Sequence, residues 1–286
     1  CISSAASDVY KRQVQNANGD VEEQISQIEY FIKKQVDVIV VVAGDCEALS
    51  DVMIKAREAG IKTVSYDRLI MNAGCDLYIS FDNTEVGRLM AESMLENIPD
   101  GGDIFLIQGP LTDNNVSLIR EGIDETLAGS NLNVVYEANC PGWIAENAYT
   151  YTKEGLKLDR NVKGIICGND DLASQAFRAL SEERLAGKVC VTGQDGDLAA
   201  CQRIVEETQE MTAFKSVEQE ASLAAKCAVL LGLGEEIEEV QDTAYDGTYN
   251  VPYLELQPIA VTKENMDEVI IKGGFHAKED VYLNVN

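Results

Sequence analysis

The sequence predicts an α/β fold of two doubly wound parallel-sheet lobes, and two patterns along the chain predict it. Short apolar runs rich in Val and Ile alternate with segments whose apolar residues recur at helical spacing. Several of the runs are continuous rather than alternating, which is typical of strands that are covered on both faces. These strand–helix units are too many for one sheet, so two lobes are expected, with a ligand cleft at the carboxyl ends of the strands.

Six apolar runs predict the strands, and each one is short. They are residues 36–42, 63–66, 104–107, 134–136, 164–167 and 189–192. A further run, residues 211–214, ends at Lys215. Polar residues follow most of these runs directly, which makes the strand ends the first place to look for a site.

Four apolar stripes predict amphipathic helices between the strands. They consist of Ile25, Ile28 and Ile32; of Leu49, Val52, Met53 and Ala56; of Val86, Leu89, Met90 and Met94; and of Leu172, Ala176 and Leu180. Gly60 follows the second stripe, as expected where a helix ends.

The N-terminal stretch does not fit this alternation. Residues 1–13 are polar and run almost directly into the first helix, with no strand apparent before it. Because a domain of strand–helix units opens with a strand, we expect its first strand and part of its first helix to be missing or replaced. Cys1 has a second interpretation as the lipidated first residue of a bacterial lipoprotein. Such a residue precedes a linker and a complete domain, so truncation is preferred.

Charge and hydropathy exclude several classes of protein. The 286 residues carry 23 Lys and Arg against 49 Asp and Glu, a net charge of −26. This charge repels phosphate backbones, so nucleic acid is not an expected partner and a sugar-responsive repressor is excluded. No stretch approaches the ~18 consecutive apolar residues of a membrane span, so the sequence is that of a soluble protein.

The residues that most often carry catalysis or metals do not form a known pattern here. The chain has a single His and eight Cys without any Cys-x-x-Cys pair, which excludes zinc and thioredoxin-type sites. The cysteines are predicted to be free, buried thiols, for example Cys167 and Cys190. No nucleophile elbow, phosphate loop or dinucleotide fingerprint occurs, so neither an enzyme nor a cofactor is predicted. Asp195 and Asp197 are interpreted as a ligand contact and a helix cap, not as a glycosidase pair.

The polar residues after the strands suit a neutral, polyhydroxylated ring. Carboxylates accept hydrogen bonds, Arg and Lys donate them, and Asn does both, while the single Trp offers a flat apolar face. The residues at these ends are Asp67 and Arg68, Asp113 to Asn115, Trp143, Asn169 and Asp170, Gln194 and Asp195, and Lys215. Taken singly, each has an ordinary explanation as a turn or cap residue, but together they indicate a sugar site.

Several short motifs in a fixed order make the prediction more specific. They are residues 36–40, Tyr66-Asp67-Arg68, residues 78–83, Asp113-Asn114-Asn115, Gly142-Trp143 with residues 146–148, Asn169-Asp170, Gly193-Gln194-Asp195 with residues 197–199, Pro258-Ile259 and Gly274-Phe275-His276. With these motifs, the chain resembles the ribose/galactose-type sugar-binding family of ABC transporters, which has the periplasmic binding protein type I fold. The resemblance extends over nearly all of residues 15–276.

The resemblance implies a two-lobed clamp that closes on one sugar, with three chain crossings in its hinge. It suggests crossings near Gly109, near Lys215-Ser216 and between about residues 241 and 258. The N-terminal lobe would then comprise residues 1–109 and 217–243, and the C-terminal lobe residues 110–216 and 244–286.

The resemblance also implies the contacts. It assigns sugar contacts to Arg68, Asn114, Trp143, Asn169, Asp195 and Lys215, with Asp67 and Asn115 in support. Trp143 would be the stacking platform. The family's first strand and its loop add basic and aromatic contacts that have no recognisable counterpart here, and Lys11 and Arg12 are not assigned. The calcium loop of the galactose branch is not found, so no metal site is predicted.

The function implied is that of a monomeric extracytoplasmic protein, in the periplasm or at the outer face of the cell membrane. It would bind a monosaccharide, D-xylose or a related pentose, and deliver it to the membrane component of an ABC permease. An alternative uses the same fold as an extracellular sensor that presents sugar occupancy to a histidine kinase.

Overall fold

Two α/β units, each built on its own sheet, make up the chain in the computed structural model, which describes residues 2–4, 10–240 and 242–285. The first unit contains the described residues up to Phe81, residues Thr112–Asn115 and Ser216–Leu256. The second contains Asp82–Leu111, Val116–Lys215 and the described residues from Gln257 onwards.

The strands and helices alternate along most of the chain. The strands are β1 (Ile2–Ser4), β2 (Tyr10–Arg12), β3 (Val38–Val41), β4 (Lys62–Tyr66), β5 (Leu77–Phe81), β6 (Gly102–Gln108), β7 (Leu132–Asn139), β8 (Gly164–Cys167), β9 (Cys190–Gln194), β10 (Met211–Phe214), β11 (Asp242–Tyr245), β12 (Asn250–Leu256) and β13 (Ile259–Val261). The α-helices are α1 (Val21–Lys33), α2 (Ser50–Glu58), α3 (Asn83–Asn97), α4 (Asn114–Leu127), α5 (Glu146–Leu158), α6 (Asp170–Glu182), α7 (Leu198–Val205), α8 (Val217–Leu233) and α9 (Lys278–Val281). A 3₁₀ turn covers Pro141–Trp143 and a π-helical segment covers Asp267–Ile271.

The sheet of the first unit has the strand order β11-β12-β5-β4-β3. Strands β3, β4, β5 and β12 are parallel, and β11 is antiparallel to β12. Side chains alternate between the two faces, as the pleat requires. Ile39 and Val41 pack with α1 and α2 on one face, while Val38 and Val64 pack with α8 on the other. Both faces are therefore covered, as the continuous apolar runs predicted.

The sheet of the second unit has the strand order β13-β10-β9-β8-β6-β7. All its pairs are parallel except β10 with β13. Helices α3 and α4 cover one face and α5 and α6 the other, around Leu106 and Phe105 respectively. The fold class is thus confirmed, with the correction that each sheet is mixed because one antiparallel strand lies at its edge.

The division of the chain differs from the predicted one in two places. Strand β6 pairs with β7 and β8, so residues 82–109 belong to the second unit and not to the first. Strand β12 pairs in parallel with β5, so residues 244–256 belong to the first unit. The crossing predicted near Gly109 is therefore corrected to Phe81–Asp82, and the last boundary lies at Leu256–Gln257. The boundary between them lies at Lys215–Ser216.

The expectation that no strand precedes the first helix is also corrected. Strands β1 and β2 form an antiparallel pair in which Ile2 lies opposite Arg12 and Ser4 opposite Tyr10. Cys1, which the sequence offered as a lipidated residue, lies outside the described residues. The cysteines at positions 46, 75, 140, 167, 190, 201 and 227 are free and buried, as predicted. Among the described residues, no helix is long and apolar enough to cross a membrane.

Candidate sugar-binding site

Arg68 is the centre of a polar cluster in the first unit, just beyond the end of β4. Its Nε lies 2.8 Å from Oδ2 of Asp113 and 3.6 Å from Oδ2 of Asp67. Its Nη1 donates a hydrogen bond to the carbonyl oxygen of Ala43 at 2.9 Å. The Asp113 side chain is only 2% exposed. Because a buried carboxylate is costly without a partner, this ion pair fixes the guanidinium in one place.

Asn115 joins the cluster from the first turn of α4. Its Nδ2 donates to the backbone oxygen of Asp67 at 3.0 Å and to Oδ1 of that residue at 3.3 Å. Its backbone N–H donates to Oδ1 of Asp113 at 3.0 Å. Its own Oδ1 is buried and has no hydrogen-bond partner among the described residues. An acceptor left in this state is expected to bind a donor from a ligand or water. Asn114 lies between Asp113 and Asn115, is half-buried and is the first residue of α4.

A cavity of about 680 Å³ in the first unit opens beside this cluster. Arg68 and Tyr66 line one part of it, and Arg12 lines another. Arg12 was not assigned from the sequence, because nothing in the pattern of residues 1–13 indicated where its side chain would lie. The structure therefore adds a second guanidinium to the space next to the predicted contacts.

Trp143 lies in the second unit, in the turn between β7 and α5. Gly142 and Trp143 have φ angles of 59° and 58°, so the turn lifts the indole out of the direction of the preceding strand. The indole packs on the backbone of Gly109 and Gly168, since a Cβ at Gly109 would overlap its six-membered ring and a Cβ at Gly168 would lie 3.2 Å from it. The indole that is predicted to stack on the sugar therefore packs against two glycines, and Trp143 remains half-buried.

Asn169 follows β8 and caps α6. Its Oδ1 accepts a hydrogen bond from the backbone N–H of Leu172 at 2.9 Å, as an N-cap residue does. This leaves the Nδ2 end of the amide as the part available for other partners. The predicted sugar contact and the ordinary cap explanation are thus compatible, because the two roles use different atoms.

Asp195 and Lys215 approach each other at the ends of β9 and β10. The Asp195 Oδ1 lies 3.5 Å from the Lys215 Nζ, and their side chains are 37% and 12% exposed. The strands are neighbours in the sheet, and this places their carboxyl ends together. Asp195 has a φ of 97°, which is unusual for a residue with a side chain.

The predicted residues therefore assemble into two groups, one in each unit. Asp67, Arg68, Asn114 and Asn115 lie together in the first. Trp143, Asn169, Asp195 and Lys215 lie at strand ends of the second sheet, where Asp195 and Lys215 make direct contact. Both groups combine donors and acceptors, and neither contains a nucleophile next to a base. Within the described residues no cluster of His, Cys, Asp or Glu has the arrangement of a metal site.

Three polar residues of these groups have a role that the sequence did not assign. Asp113 has the ordinary explanation of a turn residue, but it also pairs with Arg68. Gln108 and Gln194 are the last residues of β6 and β9, and both are buried with an Oε1 that finds no partner in the described part of the chain. Gln194 was named among the strand-end residues without a role, whereas Gln108 was not named, although its position at the end of a strand was the available signal. Asp197 occupies the N-cap position of α7, as predicted, but its side chain makes no capping hydrogen bond with the residues described.

Comparisons with known proteins show which family the chain is similar to. A D-xylose-binding periplasmic protein of Haemophilus influenzae is 43% identical over 286 residues, which cover 98% of this chain and 86% of that protein. A D-xylose-binding periplasmic protein of Escherichia coli is 40% identical over 273 residues, covering 94% and 82%. The crystal structure of an ABC transporter solute-binding protein from Clostridium phytofermentans, with bound β-D-glucose, superposes with a TM-score of 0.84 at 26% identity and covers 93% and 89%. The periplasmic binding protein domain matches residues 2–236. The chain described above, with its two α/β units and polar strand ends, belongs to the periplasmic binding protein domain family.

Proposed function

We propose that this protein binds D-xylose outside the cytoplasm and delivers it to an ABC permease. The observation that carries the proposal is the prebuilt polar cluster at Arg68, in which Asn115 keeps a buried acceptor without a partner among the described residues. Relatives named as D-xylose-binding periplasmic proteins, similar over nearly the whole chain, support the choice of sugar. These relatives are named as binding proteins and not as enzymes.

The predicted contact residues supply all three kinds of contact that a sugar needs: hydrogen-bond donors, hydrogen-bond acceptors and an apolar face. The Arg68 guanidinium and the Asn169 amide supply donors, the Asn115 Oδ1 and Asp195 carboxylate supply acceptors, and the Trp143 indole supplies an apolar face. A site that pairs buried hydroxyls discriminates strongly against sugars that leave its polar atoms unpaired.

The internal hydrogen bonds of the cluster are expected to favour affinity. Asp113 and Ala43 hold Arg68 before any ligand arrives, so binding does not require a long side chain to be immobilised. Immobilising such a side chain costs roughly 0.5–1.5 kcal/mol, and a preorganised site avoids this cost. The ion pair with Asp113 also neutralises the guanidinium, which suits a ligand without charge.

Calorimetric titration of the purified, sugar-free protein with aldopentoses tests the proposal. We expect saturable heat with D-xylose and weaker binding of its epimers. Because Trp143 is the single Trp of the chain, its emission measured in the same titration reports on the platform directly. Absence of heat with every aldopentose, in protein shown to be folded by circular dichroism, would refute pentose binding.

The partner and the oligomeric state belong to the same proposal. We expect the sugar-loaded protein to be retained by the membrane component of an ABC permease and to be monomeric in light-scattering measurements. Retention by a sensor histidine kinase and not by a permease would instead favour the sensing alternative. A dimer at micromolar concentration would contradict the monomer.

A further inference from the structure

The turn after β9 holds its backbone in an unfavourable conformation. Asp195 has a φ of 97° and Gly196 a φ of 75°. For glycine this region is allowed without cost, but for Asp195 it is strained. Strain of this kind costs roughly 1–3 kcal/mol and persists only where the surroundings determine the conformation firmly. The contacts of this turn show which groups determine it.

Asp170 lies beneath the turn and binds two of its backbone amides. Its Oδ2 accepts a hydrogen bond from the N–H of Gly196 at 3.0 Å and another from the N–H of Asp197 at 3.1 Å. The Asp170 side chain is fully buried at the start of α6. The N–H of Gly196 also lies 3.1 Å from Thr212 Oγ1. Among the described residues, the Asp170 carboxyl group is therefore the one side chain that binds both peptide units that directly follow Asp195, and the Thr212 hydroxyl supports the first of them.

Asp170 is itself fixed by buried groups on other elements. Thr212 Oγ1 donates to its Oδ2 at 2.7 Å, and Gln209 Nε2 donates to its Oδ1 at 3.0 Å. Arg203 Nε in turn donates to Gln209 Oε1 at 2.9 Å. Both carboxyl oxygens are occupied, one by Thr212 of β10 and the other by Gln209 of the loop between α7 and β10, so the carboxyl group is held against the turn. A network in which every bond restricts the next is more rigid than one isolated contact.

The other side of the turn is held as well. His276 Nε2 donates to the carbonyl oxygen of Gly196 at 2.8 Å, and the backbone N–H of Asp195 donates to the carbonyl oxygen of Ala213 at 3.0 Å. The Phe214 ring lies 2.7 Å from the position that a Cβ of Gly196 would take, so no side chain fits there. The backbone is thereby fixed on both sides of the Asp195 side chain.

We propose that Asp170 is a positioning residue of the sugar site, which holds the strained turn so that the Asp195 carboxylate points toward a sugar hydroxyl. The inference rests on the proposed function, because it assigns Asp170 a role in the binding that Asp195 performs. Asp170 makes no contact with the sugar in this scheme. Its effect is transmitted through the backbone of Gly196 and Asp197.

A double-mutant cycle separates this role from a general loss of stability. The variants are Asp170→Ala, Asp195→Ala and the double variant, with the Kd for D-xylose measured by calorimetry. We expect Asp170→Ala to weaken binding at least tenfold, and to change Kd less than twofold when Asp195 is already Ala. Asp170→Asn keeps an oxygen for the two amides but turns its Nδ2 toward the Gln209 Nε2 donor, so it is expected to weaken binding less than Asp170→Ala does.

Arg68→Lys provides the matched comparison, because it changes a contact in the other unit. We expect the two substitutions to act independently, so that the factor by which the double variant raises Kd is the product of the two single factors. An Asp170→Ala protein that is folded and binds within threefold of the natural one would overturn the proposal. The same weakening with and without Asp195 would also overturn it, since it would show that Asp170 acts elsewhere.

Two further measurements cover the remaining outcomes. If Asp170→Ala does not fold, Gln209→Met removes one partner of the carboxyl group at a residue that makes no hydrogen bond to the turn. The same cycle with Asp195→Ala then decides, with at least threefold weakening expected. If the natural protein binds no sugar, the proposed function fails. Amide hydrogen exchange then tests separately whether Asp170 holds the turn. Faster exchange of the Gly196 and Asp197 amides in the Asp170 variant would show that Asp170 holds the turn, whereas unchanged exchange would refute this.

Discussion

The indole of Trp143 depends on the absence of a side chain at Gly109. Because Gly109 has no positive φ, its backbone accepts alanine, and the three atoms nearest to the new methyl group in Gly109→Ala all belong to the Trp143 indole. We expect this variant to displace the ring, shift its fluorescence maximum and weaken sugar binding at least tenfold. Calorimetry and the emission spectrum measure both effects.

Gly129→Ala is the control for Gly109→Ala. Gly129 has a φ of 75° and open space around it, so alanine there strains the backbone without touching Trp143. The control is expected to lower the stability and to leave the emission maximum and Kd unchanged. Unaltered emission and affinity in Gly109→Ala would show that the indole is not seated on this glycine.

Asp170 makes the stability depend on pH. Burial raises the pKa of Asp170 from 3.8 to about 8, against the lowering effect of its hydrogen bond with Thr212. Between these two values the folded protein holds a proton that the unfolded chain has lost, so this residue's contribution to the free energy of unfolding falls as pH rises from about 4 to about 8. Above pH 8 it is constant.

Asp170→Asn removes this dependence because asparagine does not titrate. We expect the free energy of unfolding of the natural protein to decline relative to that of the variant between pH 5 and pH 8. Urea titrations at several pH values measure the difference. Asp171→Asn, at the exposed neighbouring position, is expected to give a curve parallel to that of the natural protein. Parallel curves for Asp170→Asn would contradict the assignment.

At the level of helices, two N-cap residues allow the effect of a substitution on sugar binding to be distinguished from its effect on stability. Asp82 caps α3 and Asn169 caps α6, each accepting a hydrogen bond from the backbone N–H three residues later. Replacing either by alanine is expected to cost about 1 kcal/mol of stability, since a cap contributes that much. Only Asn169→Ala is expected to weaken sugar binding as well. Urea unfolding and calorimetry on the two variants test this, and equal effects on Kd would remove Asn169 from the proposed contacts.

The elements that the sequence predicted well are those covered by apolar residues on both faces. The runs at residues 164–167 and 189–192 became β8 and most of β9, because a buried parallel strand has a distinct apolar signature. The run at residues 134–136 is a different case. It lies in β7, an edge strand in which Val134 and Val135 are exposed, so its apolar character did not indicate two-sided burial.

The elements that escaped prediction have mixed composition. Strands β5 and β12 contain Tyr and Ser or Glu and Pro, which dilute the apolar pattern although the strands pair in parallel. The site shows the same limit. Asp170 was named among the polar residues after the strands, but its role was not predicted, because a carboxyl group that binds backbone amides leaves no mark of that contact in the local sequence.

For the whole molecule, the charge of −26 predicts that salt stabilises the folded state. The compact fold brings like charges closer than the unfolded chain does, and screening lengths fall from about 30 Å at 0.01 M to about 10 Å at 0.1 M salt. We expect the urea midpoint to rise as NaCl increases over this range. A triple substitution of the exposed residues Glu235, Glu236 and Glu238 by Gln is expected to reduce the rise. A midpoint that falls with salt would show that favourable ion pairs outweigh the repulsion.

The buried cysteines make the protein suited to site-specific labelling. Burial raises the pKa of Cys46 to about 12 and that of Cys140 to about 11, so their thiols are neutral as well as inaccessible at pH 7. Since thiolates are the reactive form, maleimide reagents should leave the seven described cysteines unmodified in the native state. One cysteine introduced at an exposed position, in a background with Cys1→Ser, would therefore carry a fluorophore alone, and would turn this chain into an optical reporter of its ligand without removal of the seven buried thiols.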